Sequence, residues 1–231
     1  KPLPVYATKG AKKMRFSEED KGEQKEQQSN EADLINALMT ESARPELRMT
    51  GIYGDVNEER CSEAIYGLTA LHLSGTGKVL EDPEDPESDL IDTYQPIEFI
   101  ISSHGGLAAD MFSVYDTIRS IRDMSPIHTK GLGKVMSAGV LLLASGTKGE
   151  RRIGKYCRVM IHGVQAGQHG YLADVENEFK ETRAIQRMYI KALAEETSMT
   201  EAYVKKLMNR KTNVYLDAEE AVKLGIADII F

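Results

Sequence analysis

The chain has 231 residues, a formal net charge of −7 and a sequence pI near 5.4, which suits one α/β domain with appendages and a core that needs neither disulfides nor metal. The acidic balance argues against a general nucleic-acid binder, which would carry a basic patch or stripe. The two cysteines, Cys61 and Cys157, form no Cys-x-x-Cys pair, no stretch approaches the ~18 consecutive apolar residues of a membrane span, and no signal-peptide segment opens the chain, so a soluble protein of a reducing compartment is expected.

Residues 1–30 are polar and of mixed charge, too poor in apolar surface to order alone, and predict an exposed arm. Ala32, Leu34, Ile35, Leu38 and Met39 recur at helical spacing and predict a short amphipathic segment leading into the main body, so the chain divides into 1–46 and 47–231. Residues 48–53 read as extended and 58–73 as a helix with Ala64, Ile65, Leu68 and Leu71 on one face. Ile97 to Ile101 reads as a buried strand, which makes a βαβ unit with a parallel sheet. Between helix and strand, 75–96 is a surface insertion rich in acid, proline and glycine. Its Gly75-Thr76-Gly77-Lys78 is not a phosphate loop: the glycine required five residues before Gly77 is His72, and Val79 stands where the metal-binding hydroxyl belongs.

Ser103-His104-Gly105-Gly106 then closes the buried strand with a glycine pair, where backbone N–H groups can approach a substrate oxygen. Phe112, Tyr115, Ile118 and Ile121 share a helical face, and 127–131 is extended. Residues 137–145, bracketed by Gly133 and Gly146, form an apolar helix that Ser137 opens, and such an end offers unpaired N–H groups and a positive dipole. Residues 159–161 form a short strand delivering His162, and 174–197 a long helix with Val175, Phe179, Ile185, Met188 and Leu193 inward. The glycine-rich 163–170 between them is flexible and has the capacity to add an edge strand. Residues 200–209 are helical, and Asp217-Ala218-Glu219-Glu220 is a capping box starting a helix that Gly225 ends.

Ser137 and His162 lie 25 residues apart and are the minimum parts of a nucleophilic hydrolase, because a hydroxyl attacks poorly until a base takes its proton. Each has a plainer reading when taken alone: serine as a helix cap, histidine as a satisfied core residue. Lys134, three residues before the serine, raises a Ser–Lys dyad, and Cys157 reads as a small buried hydrophobe.

Taken together, the glycine pair, Tyr115-Asp116-Thr117-Ile118, Ser137-Ala138-Gly139, Ala144-Ser145-Gly146-Thr147-Lys148-Gly149, Arg158-Val159-Met160-Ile161-His162 and Asp217-Ala218-Glu219-Glu220-Ala221-Val222-Lys223-Leu224-Gly225 resemble the ClpP peptidase family from about residue 47 to 230. The resemblance implies an α/β, ClpP/crotonase-like fold of repeated β-β-α units, with a head domain and a handle helix over 171–197, and makes 1–46 an N-terminal arm of the axial region. It further implies self-association into heptameric rings, a two-ring tetradecamer around an aqueous chamber, and an AAA+ unfoldase of the ClpX, ClpA or ClpC kind. That partner would use ATP to feed in unfolded polypeptides, while this subunit needs no cofactor and binds neither nucleic acid nor membrane. The location so implied is the cytoplasm of a bacterial or virus-infected bacterial cell, or an organellar stroma or matrix.

Residue by residue, Ser137 resembles the family nucleophile and His162 the general base, with the oxyanion hole at the N–H groups of Gly106 and Ala138. Gly105, Leu107, Gly163 and Val164 would border the extended substrate. The family's third member is an aspartate, and the matching position, in Thr212-Asn213-Val214-Tyr215-Leu216-Asp217, is Asn213. In a chymotrypsin-class triad the same change lowers turnover by ~10⁴ through the wrong tautomer, whereas an amide carbonyl accepting the Nδ1 hydrogen serves in papain-class enzymes. The stretch from 162 to 213 is two residues longer than in typical relatives, which leaves Asp217 or Asp174 as alternatives. His104 replaces the family's proline, which loosens the turn and places an imidazole beside the oxyanion loop, its plainer reading being a solvent-facing turn residue. Rival readings are an inactive, structural ClpR-type subunit of a mixed ring, a crotonase-type acyl-CoA enzyme, and a pure binding module.

Overall fold

In the computed structural model, which describes residues 47–167, 169–210 and 212–231, strand β1 (Met49–Val56) leads into helix α1 (Glu58–Ser74). The arm and short helix expected within 1–46 lie outside the described residues. The chain divides after Leu47 into two units, and the architecture below is that of the second, Arg48–Phe231. Helix α1 begins where the Asn57 side chain accepts the Arg60 N–H at 3.0 Å, with Glu58 and Glu59 in the favourable first turn. It buries Cys61, Ala64 and Leu68.

The insertion is not an irregular loop. It folds as an antiparallel hairpin of β2 (Thr76–Leu80) and β3 (Leu90–Tyr94), which among the described residues pair only with each other. Both strands are largely exposed, so neither carries the alternating apolar signature of a half-buried strand. Strand β4 (Ile97–Gly106) then returns parallel beside β1, with Ile97, Phe99 and Ile101 fully buried on one side.

Helix α2 (Ala108–Ile121) buries Met111, Val114, Tyr115, Ile118 and Ile121, and β5 (Ile127–Met136) lies parallel to β4. Helix α3 (Ala138–Ala144) is buried at all seven positions, as an all-apolar helix must be. The chain continues through β6 (Arg152–Ile153), β7 (Arg158–Ile161), α4 (Leu172–Glu196), α5 (Glu201–Met208), β8 (Val214–Leu216), α6 (Ala218–Lys223) and β9 (Ile229–Ile230). Among the described residues seven strands form one sheet in the order β1-β4-β5-β6-β9, with β7 also on β5 and β8 antiparallel to β7. This mixed α/β architecture with a mostly parallel sheet agrees with the fold class expected from the sequence.

A bulge in β5 determines where the site lies. Ile101 faces Gly131 but Ser103 faces Val135, so β5 carries two extra residues between these pairs. Gly133 sits among them at φ 64°, a conformation that costs glycine little. Before the bulge β5 pairs with β6, and after it, through Lys134, Val135 and Met136, with β7. The extended segment read as 127–131 therefore runs on to Met136.

Helix α4 also departs from expectation. Leu193 is buried, but Phe179 is 55% and Met188 51% exposed, and the buried positions cluster near the C-terminal end at Tyr189, Ile190, Ala192, Leu193 and Glu196. Helical spacing marks an apolar stripe without saying how much of the helix has a core beneath it. Here only the last third does. No described helix is long and apolar enough to cross a membrane.

Candidate active site

Three neighbouring parallel strands end together at this site. The register pairs Met136 of β5 with Met160 of β7, so Ser137 is one residue past the pair and His162 two. On the other side Ser103 of β4 faces Val135, which brings Gly105 and Gly106 to the same edge. Carboxyl ends of parallel strands are where α/β sheets present ligand sites, because the loops leaving them diverge. Ser137, Ala138, His162, Gly105, Gly106, Leu107, Gly163 and Val164 all line one cavity of about 710 Å³.

Ser137 is held in a strained turn. Its φ of 53° and ψ of −118° make it the one non-glycine residue at positive φ among the described residues. Side chains rarely adopt this geometry, and it persists only where surrounding bonds fix it. They do so here: the Ser137 N–H donates to Met160 O at 2.8 Å, while its carbonyl accepts from Val140 N–H at 3.0 Å and the Tyr189 hydroxyl at 2.9 Å. Burial raises the Tyr189 phenol well above its ordinary pKa, keeping it a donor. The strained turn sets Ser137 on the cavity wall, at the start of the buried α3.

The loop of β4 presses against this serine. Gly105 has φ 99°, and a Cβ there would come within 2.5 Å of Ser137 Cβ and 3.1 Å of Ala138 N. Only glycine lets the two backbones approach this closely. Gly105→Ala should therefore displace the serine and destabilise the fold by about 2 kcal/mol. A displacement near 1 Å costs about 10²-fold in reactivity, read as the rate of Ser137 labelling by a fluorophosphonate probe beside a denaturation curve.

His162 is half-buried, and its Nδ1 lies 2.6 Å from the carbonyl oxygen of Gly163. A carbonyl can only accept, so Nδ1 carries the hydrogen and Nε2 keeps the lone pair a general base needs. The antiparallel register of β7 and β8 pairs Ile161 with Val214, so one step further Asn213 stands opposite His162. Its side chain is exposed and is not part of the cavity lining. The alternative acids are placed elsewhere: Asp217 Oδ1 accepts the Glu220 N–H at 2.8 Å in the capping box of α6, and Asp174 is in the first turn of α4. His104 is exposed at the cavity rim. No strand forms among the described residues of 163–170.

The sequence reading singled out neither Asp110, Glu181 nor Tyr189, which are among the lining residues. No local spacing marks a residue that reaches a cavity from another element. The described residues hold no His, Cys, Asp and Glu cluster suited to a metal ion.

The Clp protease family model matches residues 88–231. The chain is 30% identical over 200 residues to ATP-dependent Clp protease proteolytic subunit 1 of Prochlorococcus marinus (strain MIT 9312), covering 85% of this chain and 96% of that protein. It is equally 30% identical over 200 residues to the subunit of that name in Prochlorococcus marinus subsp. pastoris (strain CCMP1986 / NIES-2087 / MED4), covering 85% and 95% respectively.

Proposed function

The chain belongs to the Clp protease family, and from that premise we propose that it is a serine endopeptidase, the proteolytic subunit of an ATP-dependent Clp-type protease. The observation that carries the reading is the strained Ser137 sharing a cavity edge with His162 and the Gly105-Gly106 pair. His162 Nε2 takes the hydroxyl proton as the Ser137 oxygen attacks a peptide carbonyl. The N–H groups of Gly106 and Ala138 receive the oxyanion, and the imidazolium returns the proton to the leaving amine. Water activated by the same imidazole then releases the acyl group.

Substrate lies extended between Gly105 and Leu107 on one side and Gly163 and Val164 on the other, bonded through its backbone as an added strand. In this reading the subunits form heptameric rings stacked into a tetradecamer, and access to the enclosed chamber limits which proteins are cut. An AAA+ unfoldase of the ClpX, ClpA or ClpC kind spends ATP to deliver unfolded polypeptide, and the subunit itself uses no cofactor. The names of the relatives, proteolytic subunits of ATP-dependent Clp proteases, support this assignment.

A structural ClpR-type subunit is the second reading, favoured by the exposed Asn213 at the position of the family's aspartate. Fluorophosphonate labelling of the assembled protein decides between them. Labelling at Ser137, with casein degraded when unfoldase and ATP are added, is expected; an intact particle that takes no label would be the structural subunit. Asn213→Asp should speed labelling and peptide turnover about 10- to 10²-fold, well short of ~10⁴, because the Gly163 carbonyl already selects the productive tautomer.

A further inference from the structure

The Nδ1 hydrogen of His162 goes to the carbonyl of Gly163, 2.6 Å away, and that carbonyl has to be held in its turn. A backbone oxygen in a loop swings with its peptide plane, so the imidazole is only as fixed as the plane is. In a trans peptide the C=O and the N–H of the next residue point in opposite directions, which makes the Val164 N–H the other handle of the same group. It donates to Gln186 Oε1 at 3.2 Å. Gln186 stands on α4, partly buried and outside the cavity lining. Gly163 is wedged as well: a Cβ there would stand 2.7 Å from the Met208 carbonyl oxygen and 3.6 Å from Gln186 Oε1, so this stretch of loop lies against both α4 and α5.

One such bond could do no more than tie a passing loop to a helix. The peptide that Gln186 grips, however, is the one that orients His162, and a hydrogen bond on its N–H side polarises the carbonyl and strengthens the bond to Nδ1. Three residues further along α4, on the same face, the Tyr189 hydroxyl bonds the Ser137 carbonyl at 2.9 Å. A single turn of one helix therefore grips the backbone of the serine and the backbone that orients the histidine. Resting on the endopeptidase reading, we propose that Gln186 is a positioning residue that takes over the orienting task of a triad's third side chain, acting through the Gly163–Val164 peptide. Gln186 fixes the plane, the plane presents Gly163 O to Nδ1, and Nε2 keeps the lone pair. This relay supplies orientation without charge, so it leaves the imidazolium less stabilised than a carboxylate would.

The test uses the assembled protein. Ser137 labelling by a fluorophosphonate and turnover of a fluorogenic peptide report the activated hydroxyl, while hydrogen exchange of the Val164 amide reports the bond without needing a reactive serine. Gln186→Met keeps the length of the side chain and removes the acceptor. It should slow labelling and kcat about tenfold at unchanged KM, and speed Val164 exchange about tenfold. Gln186→Glu keeps an acceptor oxygen and should hold all three within about threefold of the unsubstituted protein. Asn213→Asp orients the imidazole by a second route, so its gain in the Gln186→Met background should be about tenfold larger than its gain alone, a coupling that a merely structural glutamine would not show. Equal labelling of Gln186→Met and the unsubstituted protein overturns the inference, as do equal gains from Asn213→Asp in the two backgrounds. Faster Val164 exchange in Gln186→Met, in a protein that takes no label even without the substitution, would overturn the endopeptidase reading and leave the grip of Gln186 on the loop standing.

Discussion

Replacing Ser137 by glycine should abolish peptide hydrolysis and at the same time raise the unfolding temperature. The serine occupies φ 53° and ψ −118°, a region that costs a residue with a Cβ about 1–3 kcal/mol and glycine little. Glycine's greater freedom in the unfolded chain takes back about 0.4–1 kcal/mol, leaving a net gain near 1 kcal/mol. For a domain of this size that is about 2–4 °C. Loss of the nucleophile in a serine hydrolase lowers kcat by about 10⁶, so the stabilised variant has no turnover. Ser137→Ala is the control that separates the two effects. It loses the same hydroxyl but keeps a Cβ in the same strained turn, so its unfolding temperature stays near that of the unsubstituted protein. Thermal unfolding of the three proteins side by side checks this, and coincident glycine and alanine curves would mean that the turn stores no strain.

The strain also shows which parts of this molecule a sequence reveals. Helix α1, the buried face of α2 and the capping box of α6 were all legible, because each is written in residues three or four apart whose side chains meet within one element. The capping box recurs in the structure as read, with Asp217 Oδ1 on the Glu220 N–H and Glu220 Oε2 on the Asp217 N–H. What escaped depends on partners distant in sequence. Strands β6 and β9 are two residues each and carry no period of their own; they are strands because Arg152 meets Ile229 and Ile153 meets Ile230. Phe179 and Met188 follow the helical stripe faithfully, but the core beneath α4 stops short of them.

The site divides in the same way. Ser137 and His162 could be named from their motifs, whereas their common edge follows from the pairing of Met136 with Met160, which no local pattern encodes. Gly133 was read as a bracket before a helix, and it is the bulge residue that turns β5 toward β7 and so makes that pairing available.

Glu196→Ala should be strongly destabilising, although it lies far from the motifs. The side chain is 2% exposed and closes the end of α4. Its Oε2 lies 2.8 Å from Arg122 Nη1 and 3.4 Å from Lys148 Nζ, and its Oε1 accepts the Tyr115 hydroxyl at 3.1 Å. Lys148 and Arg151 also bond its backbone carbonyl, and Arg151 in turn pairs with Asp228. Burial pushes the Glu196 carboxyl up, but Arg122, Lys148 and the Tyr115 hydroxyl more than reverse this and hold it below the ordinary carboxylate range. Truncation leaves the Arg122 guanidinium, itself largely buried, without its counter-charge, at a cost of about 3 kcal/mol or 6–12 °C.

Glu196→Gln keeps the shape and an acceptor, so it should cost about half as much at pH 7. The pH dependence has a definite sign. With the folded pKa below the unfolded value, the carboxylate's contribution is fully present above the unfolded pKa of ~4.3 and is lost as pH falls through the folded value. Asp228 is likewise held low by Arg151, so the stability of the unsubstituted protein alone would mix both groups. The difference between it and Glu196→Gln isolates Glu196 and should shrink steadily below about pH 4. The consequence reaches the chemistry through α4. Tyr189 lies seven residues before Glu196, two turns back along the same buried end of the helix, and its hydroxyl holds the Ser137 carbonyl. Loosening the Glu196 anchor therefore releases one of the bonds that keep the nucleophile in its strained turn. Fluorophosphonate labelling should slow in Glu196→Ala even where denaturation curves show the protein still folded, and an unchanged labelling rate in that range would mean that α4 holds Ser137 without this anchor.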